Sequence, residues 1–81
     1  MKRYISVRVV DSGGKPAYYA KVVLHVSQVL ASGPLPEKYT NNDGVAEFEP
    51  DLDASSQVSV SVNGQERVRS GPIQAEYKVA L

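Results

Sequence analysis

Two phrases decide how this chain reads: Asp11-Ser12-Gly13-Gly14-Lys15-Pro16 and Thr40-Asn41-Asn42-Asp43-Gly44. Each is a polar turn cluster set between alternating apolar residues. Before the first, Ile5, Val7 and Val9 alternate with Ser6, Arg8 and Val10, which predicts a strand with one buried face. The two glycines supply positive φ, and Pro16 has no N–H to give a ladder, so pairing stops there. After it, residues 18–30 form the longest β-rich segment. Ala20, Val22, Leu24 and Val26 make its inward face, and Tyr19, Lys21, Val23, His25 and Ser27 its outward face. The second phrase follows a short extended piece, residues 37–40, and reads as a hairpin turn because Asp-Gly and Asn accept left-handed backbone cheaply. Its Asx residues satisfy their own backbone, so the turn needs no metal to explain it.

Working outward, Ala46 and Phe48 share a face, and Phe48, the one phenylalanine, is expected at the centre of the core. Residues 31–36 read as a loop on composition. Pro50 ends the strand of Phe48, and residues 51–55 cross over with Leu52 beneath them. Val58, Val60 and Val62 then alternate with Ser59, Ser61 and Asn63. A two-residue Asn63-Gly64 turn would pair Val60 with Arg67 and Val58 with Arg69, setting arginines on the valine face. A three-residue Val62-Asn63-Gly64 loop, which pairs Val58 with Val68, is preferred, with Gly64 left-handed. The last strand carries Ile73, Ala75, Tyr77, Val79 and Leu81 on one face. Turn signals recur about every ten residues and no helical period appears. The expected fold is therefore all-β: a six- or seven-stranded antiparallel sandwich, one domain over residues 1–81, with Val7, Val22, Leu24, Phe48, Val60 and Val79 in its core.

Size and charge bound the function. Eighty-one residues make one thin core, and the absence of cysteine removes any disulfide framework. Nine basic and nine acidic residues cancel without a Lys/Arg run, so a nucleic-acid partner is not expected. No segment reaches transmembrane length, and residues 4–10 alternate where a signal peptide would be apolar, so a soluble chain without membrane insertion is expected and its compartment is left open.

The run Val7-x-Val9-x-Asp11-x-x-Gly14-Lys15-Pro16-x-x-x-Ala20-x-Val22-x-Leu24, then Thr40-x-x-x-Gly44-x-Ala46-x-Phe48, then Val58-x-Val60-x-Val62, resembles carboxypeptidase regulatory-like domains, which are small transthyretin-like (prealbumin-like) sandwiches. Bacterial Ig-like repeats of invasin-type adhesins carry similar phrases. The resemblance spans residues 5–64 and implies an Ig-like or transthyretin-like sandwich serving as a non-catalytic accessory or spacer module. It fades after Asn63, where Gly64-Gln65-Glu66 stands in place of a Gly-Tyr step, and residues 26–36 form an unusual extension. The transthyretin-like enzymes that open hydroxyisourate rings use several histidines and a characteristic C-terminal tetrapeptide. This chain has one histidine and ends Lys78-Val79-Ala80-Leu81. That activity is not implied.

Candidate chemistry is sparse. His25 has no nucleophile elbow or acidic partner near it in sequence, and it reads as a strand residue on the outward face. Asp43, Asp51 and Asp53 lie in an acidic stretch and are weak calcium candidates. Placing Gly44 at the glycine position of an EF-hand loop puts Tyr39 first and Pro50 last, so that loop does not fit. No cofactor is expected. Tyr18-Tyr19 must expose one ring, because neighbouring strand residues face opposite ways, and this is a thin case for a weak carbohydrate-binding module. Arg67 and Arg69 are placed to pair with Glu47 or Glu49, a weak surface interaction. The reading reached is a non-catalytic interaction module. It binds a protein partner or itself through edge strands, or through a face beside Tyr19, Val23 and His25. The alternative is a structural spacer.

Overall fold

The computed structural model describes residues 2–27 and 32–81. Among the described residues all regular structure is β, in eight strands: β1 (Ile5–Val10), β2 (Lys21–Ser27), β3 (Ser32–Pro34), β4 (Lys38–Tyr39), β5 (Val45–Phe48), β6 (Gln57–Val62), β7 (Gln65–Pro72) and β8 (Glu76–Ala80). Among the described residues no helix is long and apolar enough to cross a membrane. The strands form two sheets. The smaller runs β5-β1-β8, and the larger runs β3-β2-β6-β7 with β4 also on β2. Because β3 and β4 share one side of β2, they make a single interrupted edge, which is why the count exceeds the six or seven expected.

Alternation places the core between the sheets. Ile5, Val7, Val9, Ala46, Phe48, Tyr77 and Val79 from the smaller sheet meet Val22, Leu24, Val26, Val58, Val60 and Val62 from the larger in one cluster closed by Leu52. All six expected core residues are in it. The short axes of the molecule, 20 and 18 Å, fit two layers packed about 10 Å apart. The arrangement is sandwich-like. Phe48, however, is not central. It is buried at the margin between β4 and β5, and the completely enclosed larger side chains are Ile5, Leu24 and Leu52.

The ladder is not wholly antiparallel: β1 pairs β5 antiparallel but β8 parallel, with Val7 beside Tyr77 and Val9 beside Val79. No hairpin links these chain-distant strands, so nothing local fixes their direction. The Asn-Asn-Asp-Gly turn does not close a hairpin either. It carries the chain from β4 in one sheet to β5 in the other. Residues 32–34, read as loop, pair with residues 25–27 at an edge, where a proline is tolerated. The strand expected over residues 18–30 begins only at Lys21, and its expected continuation through residues 28–30 lies outside the described residues. In the last segment Ala75 and Leu81 are exposed rather than inward.

The β6–β7 turn is the two-residue one. Asn63 (φ 53°) and Gly64 (φ 85°) are both left-handed, as a type I′ turn requires. Val62 faces Gln65 and Ser61 faces Glu66. A bulge then absorbs Arg67, so that Val68 faces Val60, and a second shift brings Gly71 opposite Val58. The bulge keeps arginine off the valine face without the third loop residue. Arg67 donates to Gln65 Oε1 (2.9 Å), and among the described residues no ion pair joins Arg67 or Arg69 to Glu47 or Glu49.

Candidate functional site: a tyrosine cluster at one end

The site grows from the two phrases that open the sequence. Asp11 Oδ1 accepts from Gly13 N–H (2.9 Å) and Lys15 N–H (3.0 Å), and Asn41 Oδ1 accepts from Asp43 N–H (2.9 Å) and Val45 N–H (3.1 Å). Each turn is thus closed by one Asx side chain, which was expected of the second; the first was expected to rest on two left-handed glycines, and only Gly14 (φ 82°) is left-handed. The two turns also touch. A Cβ on Gly44 would sit 2.6 Å from the Val9 carbonyl oxygen and 3.1 Å from both Ala17 N and Pro16 Cα. With φ at +75°, that position needs glycine for conformation and for space.

Residues 17–20 are pinned by Thr40, which is 2 % exposed. Its hydroxyl donates to the Ala17 carbonyl (2.6 Å) and accepts from Ala20 N–H (2.8 Å). Backbone bonds Tyr19 N–H to Thr40 O and Thr40 N–H to Ala20 O, both 3.0 Å, complete the clamp. Held this way, Tyr19 takes φ 60°, a left-handed conformation unusual for an aromatic residue. It breaks the strand alternation, so both Tyr18 and Tyr19 project outward, 66 % and 64 % exposed, where one exposed ring was expected.

The ring of Tyr19 stacks on Tyr39, with centroids 4.6 Å apart and planes at 21°. Tyr18 lies 5.8 Å from Tyr19, tilted by 45°. The Tyr39 hydroxyl donates to Glu37 Oε2 (2.8 Å), and the same oxygen is 3.9 Å from Lys21 Nζ. That hydrogen bond to the carboxylate, reinforced by its charge, raises the Tyr39 phenol above its ordinary value of 10.0. The result is an aromatic knob with a charged, hydrogen-bonded rim.

Of the other expected residues, Val23 (half-buried) and exposed His25 lie on the outer face of β2, opposite Ser61 and Ser59 of β6. Tyr39 shares that face, since it pairs with Lys21, and Tyr19 joins it through the stack rather than through the strand. Tyr19, Val23 and His25 therefore border one surface. His25 makes no hydrogen bond to Ser59 among the described residues. Asp43 lies in the β4–β5 turn and Asp51 bridges to Lys2 by its backbone, while the Asp53 carbonyl accepts from Ser56 N–H. No group of three His, Cys, Asp or Glu side chains able to hold a metal occurs among the described residues.

Two features were not read from the sequence. One is Tyr39 as the third member of the cluster; its signal was the pairing of residues 37–40 with the start of β2. The other is a cleft of about 300 Å³ between the two sheets, lined by Leu35, Pro36, Lys38, Phe48, Glu49 and Pro50. The chain matches no protein-family model and no curated protein sequence.

Proposed function

We propose that this chain is a non-catalytic, protein-binding β-sandwich module of the carboxypeptidase regulatory-like, transthyretin-like type, and that Tyr18, Tyr19 and Tyr39 form its contact surface. The observation that carries this reading is the backbone of Tyr19. A left-handed aromatic residue costs about 1–2 kcal/mol, and here the ring so displayed goes into solvent rather than into the core. A pure spacer gains nothing from that. Tyrosine is a favoured interface anchor because it presents a large apolar face and a polar tip at small entropic cost.

The geometry favours a protein over a sugar. A carbohydrate platform offers open, coplanar ring faces, whereas Tyr19 and Tyr39 cover one face of each other and Tyr18 is tilted away. A knob of this shape suits a pocket on a protein surface. The charged rim of Lys21 and Glu37 supplies orientation.

The test uses Tyr19→Asn. Asparagine tolerates the left-handed backbone, so relief of strain offsets loss of the stack, worth about 0.5–1.5 kcal/mol, and the fold is kept. A protein retained by the parent chain from an extract of its source cells should be lost with Tyr19→Asn. It should bind with the same dependence once purified. Equal retention by both chains, or retention of nothing by the parent, overturns the reading.

A further inference from the structure

An open sandwich has four edges, and three of them are defended here. The β3–β4 edge is broken into pieces of three and two residues with Pro36 between them. The β7 edge carries two register shifts and ends in Pro72. The β5 edge is short. Residues 44, 46, 48 and 50 turn their backbone toward β1, and Asn41 takes both polar groups of Val45, which leaves Glu47 and Glu49 facing outward. A second copy pairing there would set glutamate against glutamate.

The β8 edge differs. Ser6 N–H bonds Ala75 O (3.0 Å) and Leu81 N–H bonds Val10 O (2.9 Å), so the odd-numbered residues of this segment address β1. By alternation, Glu76, Lys78 and Ala80 point both backbone groups away from the sheet. Their side chains are exposed, while Tyr77 and Val79 face the core. The strand pairs with β1 residue for residue, with neither bulge nor proline.

We propose that β8 is a self-pairing edge at which a second copy of this chain docks antiparallel about a two-fold axis beside Tyr77. In that register Glu76 of each copy lies opposite Lys78 of the other. The two copies make about four backbone hydrogen bonds and two cross-strand ion pairs. The two three-stranded sheets become one continuous sheet. A shift by two residues instead sets Lys78 against Lys78, so charge selects the register. The within-strand contact of Lys78 Nζ to Glu76 Oε1, 3.9 Å long, leaves both groups available for the exchange. Such an interface is isologous, as two-fold pairing requires, and its small size makes the dimer weak.

Sedimentation equilibrium from micromolar to millimolar concentration tests this with two single variants. Glu76→Lys puts two cations opposite each other at both symmetric positions, and Lys78→Glu puts two anions there. Each alone should dimerise at least about tenfold more weakly than the parent. Mixed in equal amounts, the two variants pair cation to anion at both positions, and association should return. Amide exchange supplies the location: Glu76 and Lys78 should gain protection with concentration, and Glu47 and Glu49 should not. A mixture that associates no better than its components overturns the proposal. So does a strictly monomeric parent at millimolar concentration, or protection gained at β5 instead.

Discussion

Replacing Thr40 by valine keeps the shape of the side chain and removes its hydroxyl. Two backbone groups then lose their partner: the Ala17 carbonyl at 2.6 Å and the Ala20 N–H at 2.8 Å. Thr40 and Ala20 are buried, so water does not readily replace the hydroxyl. Stranding a buried polar group costs about 1–3 kcal/mol, and the half-buried carbonyl falls at the low end. The sum is about 2–4 kcal/mol. A chain of 81 residues has a total stability of about 4–12 kcal/mol, so Thr40→Val removes a large share of it. Urea unfolding followed by circular dichroism reads the loss as a lower midpoint at unchanged slope. Thr40→Ser, which retains the hydroxyl, should lose less than half as much. Because the clamp also holds residues 17–20, amide exchange at Tyr19 should quicken in Thr40→Val more than at Val60 in the core. A Thr40→Val protein within 0.5 kcal/mol of the parent, on the scale of a surface substitution, would mean that the Thr40 hydroxyl is not what holds these backbone groups.

Gly44→Ala combines a left-handed backbone with a Cβ 2.6 Å from a carbonyl oxygen, and should cost about 3 kcal/mol or more. Gly14→Ala and Gly64→Ala, left-handed but facing open space, should cost about 1 kcal/mol each, and the same unfolding titration ranks the three. Phe48→Ala should cost about 3 kcal/mol, the low end for a buried phenylalanine, because the adjoining cleft already opens to solvent. The Tyr39 phenol has its folded-state value raised, so its contribution is complete below pH 10 and is lost above pH 10, as pH rises through the raised folded-state value. Glu37→Gln removes the charge behind the shift, and spectrophotometric titration should show one phenol moving down toward 10.0.

The parts legible in the sequence are those fixed by neighbours along the chain. Period-two alternation placed Val7, Val22, Leu24, Val60 and Val79 inside, and Asp11 and Asn41 announced turns that their own side chains close. What was not legible depends on partners far along the chain. The parallel pairing of β1 with β8 leaves no local mark, because a parallel neighbour and an antiparallel one demand the same alternation. The Asn63-Gly64 signal for a two-residue turn was present, but a regular ladder was assumed where Arg67 bulges. Tyr19 misled for a physical reason: aromatic residues favour strands, whereas its left-handed backbone bonds to Thr40, twenty-one residues on. The third tyrosine could be found only once β4 was seen to lie on β2.

A protein partner seated on Tyr18, Tyr19 and Tyr39 lies within reach of a cross-linker placed among them. The most direct measurement places a photoreactive benzophenone side chain at position 18 in the chain expressed in its own cells, with position 4 as comparator. Tyr18 and Tyr4 are both exposed, at 66 % and 53 %, but only Tyr18 belongs to the cluster. Illumination should yield one discrete protein adduct from position 18 and none of that mass from position 4. No adduct at position 18, or the same adducts from both positions, would mean that the tyrosine cluster is not a contact surface.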